Sequence, residues 1–316
     1  MAPSKATPTE AEKKLVNPVT SKNSGNIFPI FIALVVASIA WIFIDPELRR
    51  GLSSYTGIGY VPPIIEDMIN KEYTIKLHGS YLSTCTQRVL VVAKEKDLDY
   101  DLHVISTAAK EHKTPEFLAN LNPFGQIPVL ELIDEGKYVY ESRAIASYLE
   151  RRYPSRGTSF AVNGAWENTI YDEALSIEAF TYDPTASAIF KEAVMKPKRG
   201  GVPNPEVIAA GKALWASKLD VYEQILSTRP YLAGNNLTLV DLYHLPYGQK
   251  IIDAGHGEAL MDHKARPHVA KWWKSLSERP SWQAVQQDVE KWQEAQIKEQ
   301  EERERKAEEE AAAAHK

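Results

Sequence analysis

The chain has 316 residues, with 37 Lys or Arg against 42 Asp or Glu and a formal net charge of -5. That length holds about two domains of ordinary size, and the acidic balance leaves no surplus of cations to hold a phosphate backbone, so nucleic acid is not an expected partner. Cys85 is the only cysteine, which rules out an internal disulfide or a resident CxxC pair and suits a reducing compartment. Metal binding is not expected either, because His256, His263 and His268, the nearest histidine grouping, lack ligand spacing on one helix face.

Residues 1–26 are polar, rich in Lys, Pro, Thr and Ser, and without an apolar period; they read as a disordered arm. An uncharged run, IFPIFIALVVASIAWIFI, then opens at Ile27 and closes at Ile44, spanning roughly 27 Å as a helix at about 1.5 Å per residue. It is read as a single membrane-spanning anchor. A cleaved secretory signal and a buried core helix are the rival readings; the run starts late for the first, with no small-residue cleavage site after it, and joins no domain that would need the second. Residues 45–72, with glycines and paired prolines, form a linker.

From residue 73 the period changes. YTIKLH reads as a strand, TCTQRVLVVAKEKDL as a helix, YDLHVIS as a strand, and IPVLEL and KYVYE as a hairpin joined through IDEG. A helix, SRAIASYLERRY, closes the unit. The order β-α-β-α-β-β-α over residues 73–154 predicts a thioredoxin-like α/β domain. Residues 155–290 read as an all-helical domain, within which Thr238 and Asp241 have capping-box spacing. Residues 291–316, almost wholly Glu, Lys, Arg, Gln and Ala, form a charged helical or disordered tail without an apolar seam. Aromatics of the early helices (Trp166, Tyr171, Phe180, Tyr182, Phe190) read first as core.

The segments NPFGQIPVLE, YESRAIASYLERRYP, GSYLSTCTQRV and EHKTPEFLANLNPFGQIP, continued by TYDPTASAIFKEAVMKP and RPHVAKWWKSLSERPSWQAV, resemble the phi class of glutathione transferases over roughly residues 73–288. The resemblance implies a thioredoxin-like domain that binds glutathione, a helical domain that supplies an apolar second pocket, and a homodimer. The implied reaction is conjugation of glutathione, a co-substrate, to apolar electrophiles in detoxification or secondary metabolism, with hydroperoxide reduction within its range and no metal. A noncatalytic glutathione-dependent ligand carrier and a membrane-tethered scaffold are the alternatives from other functional classes.

By resemblance Ser83 holds the catalytic position, donating its O–H to the glutathione sulfur at a helix N-terminus; by itself it reads equally as a helix N-cap. Tyr81 stands where the family pattern usually has proline. Cys85 offers a redox alternative, against which a turn of about 200° over two helical residues argues, since it faces Cys85 away from a sulfur held by Ser83. The resemblance further assigns His112 and Lys113 to the glycyl carboxylate, the backbone of Ile127 and a cis Pro128 to the peptide middle, and Glu141 and Ser142, with the Gln126 amide nearby, to the γ-glutamyl end. Arg143 reads as a structural ion-pair residue. Orientation of the anchor is divided. Lys13, Lys14 and Lys22 before the run outnumber Arg49 and Arg50 after it, favouring a cytosolic N-terminus; the need for reduced glutathione, the free cysteine and the NLT sequon at Asn236 favour a cytosolic catalytic domain. The latter is the reading adopted, with a soluble cytoplasmic protein as the alternative.

Overall fold

A computed structural model describes residues 74–314. Alternation in β1 (Thr74–Gly79) sends Ile75 and Leu77 into the core, while Lys76 and His78 reach Glu131 on the opposite face at 3.0 and 2.7 Å. β2 (Asp99–Val104) pairs parallel with β1, and β3 (Val129–Leu132) and β4 (Lys137–Tyr140) follow antiparallel, giving the order β2-β1-β3-β4. A parallel pair needs a crossover, and α1 (Thr84–Glu95) provides it. The short α2 (Pro115–Asn120) precedes the hairpin, and α3 (Ser142–Arg152) follows it. This is the expected thioredoxin-like half.

The helical half begins with α4 (Ala165–Ile177) and α5 (Asp183–Phe190), joined through a wide turn over Glu178–Tyr182 and followed by another over Lys191–Met195. Then come α6 (Pro205–Leu226), α7 (Leu239–Tyr243), α8 (Leu245–Asp253), α9 (Glu258–Met261), α10 (Pro267–Ser277) and α11 (Pro280–Ala314). The capping box is present. The buried Asp241 carboxylate accepts from the Thr238 N–H and hydroxyl, both at 2.9 Å, and also from the Leu232 N–H at 2.9 Å and Trp272 Nε1 at 3.0 Å. Four donors on one carboxylate offset its desolvation and fix the turn ahead of α7.

α1 joins the halves. Val89, Leu90, Val91, Val92 and Ala93 are all fully buried, so the helix is apolar around most of its girth rather than along one stripe. At its far end Glu95 is paired with Arg279 and accepts from Thr158 and Ser281. α11 runs unbroken from packed Trp282, Val285 and Val289 into an exposed stretch. That stretch carries Glu299–Arg303, Glu302–Lys306 and Arg305–Glu309 pairs one helical turn apart, the spacing that supports a solvated helix. The expected arm, anchor and linker lie outside the described residues. Among the described residues no helix is long and apolar enough to cross a membrane, and no cluster of His, Cys, Asp and Glu is suited to a metal ion.

Candidate active site

A cavity of about 320 Å³ opens where the first turn of α1 faces the β3 loop and the start of α3. His112, Lys113, Gln126, Ile127, Pro128, Glu141 and Ser142 all line it, so every expected glutathione contact except Ser83 is brought to one place. Thr107, Asn122, Arg143 and Cys85 complete the wall.

Local chemistry explains the shape of this wall. Asn122, buried, donates from Nδ2 to the Gln126 carbonyl at 2.9 Å and accepts from the Phe124 N–H at 3.0 Å, closing NPFGQ on itself. Gly125 has φ 60, and a Cβ there would lie 2.7 Å from the His112 carbonyl oxygen. Only glycine accepts both conditions without strain. The Ile127–Pro128 bond is cis, as expected. His112 and Lys113 stand on a short turn, Glu111–Lys113, and Lys113 Nζ donates to the Phe124 carbonyl at 3.0 Å. Burial, reinforced by the charge of Lys113, holds the His112 imidazole below its ordinary pKa. Glu141, exposed, has φ 69, a conformation that costs a non-glycine residue energy and that recurs at ligand clamps.

Ser83 is the N-cap of α1: its backbone is extended at φ -77 and ψ 122, and its Oγ accepts from the Thr86 N–H at 3.2 Å. The orientation expected for Cys85 requires correction. Cys85 is half-buried and lines the cavity, whereas Ser83 does not. The physical reason is that Ser83 precedes the helix; the rotation of about 100° per residue begins only at Thr84, so counting from the cap misplaces the thiol.

The residue that sequence reasoning missed is Arg88. It is fully buried, donates to Ser142 Oγ at 2.8 Å and to Asp183 Oδ2 at 3.1 Å, and directs a third N–H at Cys85 Sγ, 3.7 Å away. Arg143 binds Glu178 at 2.6 Å and Asp183 at 2.7 Å, the ion-pair role expected of it. Two arginines and two acids thus tie both cavity-lining helices, α1 and α3, to the helical half. A lone arginine amid TCTQRVLVV was the available signal, since a charge in an apolar helix needs a buried partner.

A second cavity, of about 610 Å³, lies against the helical half, between the end of α5, the wide turn after it and Tyr247 of α8. The Tyr247 side chain stands beside Thr84, one residue past Ser83, so the Tyr247 end of this cavity is the end nearer the start of α1. Phe190 lines it, edge-on to Tyr247 with centroids 5.6 Å apart. Of the other early-helix aromatics, Tyr182 is core, while Trp166 and Phe180 are exposed at 70% and 81%.

The profile of the glutathione S-transferase N-terminal domain matches residues 82–152, and that of the C-terminal domain matches residues 182–280. Glutathione S-transferase PM239X14 of Arabidopsis thaliana is 41% identical over 63% of this chain and 90% of its own length. Among solved structures, glutathione transferase F7 of Populus trichocarpa is 36% identical with a TM-score of 0.63, covering 68% of this chain and 99% of that one. Glutathione S-transferase I of maize, in complex with an atrazine glutathione conjugate, is 33% identical with a TM-score of 0.60 over 67% of this chain and 95% of that one.

Proposed function

Because the chain belongs to the glutathione S-transferase family and is a glutathione transferase, we propose that it works as a phi-class enzyme, with Ser83 as the group that activates the thiol. The observation that carries this reading is the convergence of His112, Lys113, Gln126, Ile127, Pro128, Glu141 and Ser142 on one cavity at the α1 N-terminus. Glutathione lies extended across it. Its γ-glutamyl amine meets the Glu141 carboxylate, and the neighbouring carboxylate meets the N-terminus of α3, where backbone N–H groups favour an anion. The peptide middle pairs with the backbone of Ile127, beside the Gln126 amide, and the glycyl carboxylate meets His112 and Lys113.

That pose leaves the thiol at the mouth of α1. A thiol of pKa near 8.5 must gain roughly 2.7 kcal/mol of preferential thiolate stabilisation to fall by two units. Ser83 is able to cap and to donate at once: its lone pair accepts from the Thr86 N–H, which leaves the hydroxyl hydrogen for the sulfur. The thiolate then attacks the electrophilic carbon, the C–S bond forms as the leaving group departs, and the serine forms no covalent bond.

A homodimer belongs to the same reading. Phe124 is 65% exposed on the loop beside the first cavity, and a further cavity of about 270 Å³ is lined by Tyr171, Leu175, Phe180 and Tyr243. A two-fold axis makes such a ring and recess complementary twice over, and an aromatic side chain buries enough area to matter. The run of residues 27–44 is proposed as a membrane anchor, with the transferase domain on the cytosolic side. Protease treatment of sealed microsomes tests this: digestion of the domain supports it, and protection, a glycan at Asn236 or recovery of the whole chain in the soluble fraction overturns it. The catalytic reading is tested on the full chain with a panel of electrophiles that includes a hydroperoxide. Glutathione-dependent turnover that Ser83→Ala lowers is expected; bound glutathione without turnover of any member would identify a carrier.

A further inference from the structure

The second cavity has two chemically different parts. One part is apolar, Phe190, Met195, Val207 and Tyr247, and the other is charged, Lys191, Lys196 and Arg199 with a single acid, Glu192. That acid is already engaged. Glu192 Oε1 accepts from Lys196 Nζ at 2.7 Å and from the Asn204 N–H at 2.6 Å, and these bonds hold its carboxyl below the usual pKa range. Among the described residues Lys191 and Arg199 have no acidic partner. Two cations without counterions on the rim of an apolar cavity raise the local concentration of anions and leave room for one acidic group.

The geometry points to an electrophile with an apolar body and a carboxylate, seated with its body on Phe190 and Tyr247 and its acid at Lys191 and Arg199. Resting on the transferase reading above, this names the substrate class of that site. The packing of Tyr247 and its helix α8 against α1 sets the orientation: the reacting carbon lies at the Tyr247 end, next to the α1 mouth, and the carboxylate lies at the far end on the wide turn Lys191–Met195 and the segment beyond it. A turn of this kind shifts the side chains that follow it out of helical register and recurs at binding sites. The chemistry is ordinary substitution. The C–S bond forms, the carbon–halide bond breaks, the halide leaves with its electron pair, and the thiol proton passes to solvent.

A matched pair tests the assignment: 4-chloro-3,5-dinitrobenzoate, which carries a charge remote from the reacting carbon, and its uncharged methyl ester, whose different intrinsic reactivity cancels when the acid-to-ester ratio is compared between proteins. Each is assayed with glutathione on the full chain and on the Lys191→Ala/Arg199→Ala variant. The expected result is a fall in the acid-to-ester ratio of kcat/KM on the order of tenfold in the variant, carried by KM of the acid, and a fall in the same ratio for the native chain as salt rises. Turnover of both compounds with a ratio that neither the variant nor salt moves overturns this inference and leaves the transferase reading standing. Turnover of neither, with glutathione bound, overturns both.

Discussion

The two cavities are made differently. The first is shaped by backbone: a cis peptide at Ile127–Pro128, a left-handed glycine at 125, an asparagine closing its own loop, and helix ends. The second is shaped by side chains, with rings on the floor and cations on the edge of a helix that widens into an open turn. Backbone recognition suits one invariable peptide, because each contact is fixed by chain geometry. Side-chain recognition suits a partner that differs from protein to protein, because it is rebuilt by substitution without disturbing the fold. The arginine network around Arg88 locks α1 and α3, which wall the first cavity, against the helical half.

The largest test removes that lock. Arg88→Met leaves Asp183 with one arginine and Ser142 without its donor, and loss of one partner from a buried pair costs about 3–5 kcal/mol; urea unfolding of the full chain would measure it, with glutathione affinity falling in parallel. If stability were unchanged, the halves would be held by packing alone. Smaller and more local is Gly125→Ala, which sets a methyl group against the His112 carbonyl in a conformation costing about 1–3 kcal/mol. The expected signature is a raised KM for glutathione with kcat little altered, because the His112–Lys113 turn shifts while the thiol end stays; a fall in kcat alone would contradict the division of labour. Smallest is a pH effect inside the helical half. His244 is fully buried, its Nδ1 on the Val240 carbonyl at 2.8 Å and its Nε2 beside the Tyr222 hydroxyl at 3.0 Å, and burial holds its pKa below the ordinary 6.5. The unfolded chain therefore binds the proton first, so this contribution is complete above pH 6.5 and is lost as pH falls towards the lower folded value. The slope is at most about 1.4 kcal/mol per pH unit for one proton. Thermal unfolding from pH 8 to pH 5 should show it, flattened in His244→Phe; an equal slope in both would assign the acid sensitivity elsewhere.

The same division decides what was legible in the sequence. NPFGQIP and YESRA specify a backbone, so the strands and the cis proline were readable in order along the chain, and the family resemblance marked His112, Lys113, Glu141 and Ser142, which the fold brings to one cavity wall. Thr238 and Asp241 were readable for the same reason, since a cap is a local event. Arg88 was not, because its partners stand 54 and 95 positions away. Phe190 and Tyr247 were not either: an aromatic at helical spacing packs in the core or lines a cavity with the same pattern, and Tyr182, eight residues before Phe190, took the other course. Cys85 shows a subtler limit. Its side-chain direction depends on where the helical screw begins, and a shift of the first helical residue by one position turns it by about 100°.

The central claim is that Ser83, and not Cys85, lowers the pKa of the glutathione thiol. Titration of bound glutathione by its ultraviolet thiolate absorbance, in the native chain and in Ser83→Ala and Cys85→Ser, tests it most directly. The account predicts a thiol pKa well below the free value of about 8.5 in the native chain and in Cys85→Ser, and a return towards that value in Ser83→Ala. A low pKa that survives Ser83→Ala and is lost in Cys85→Ser would contradict it.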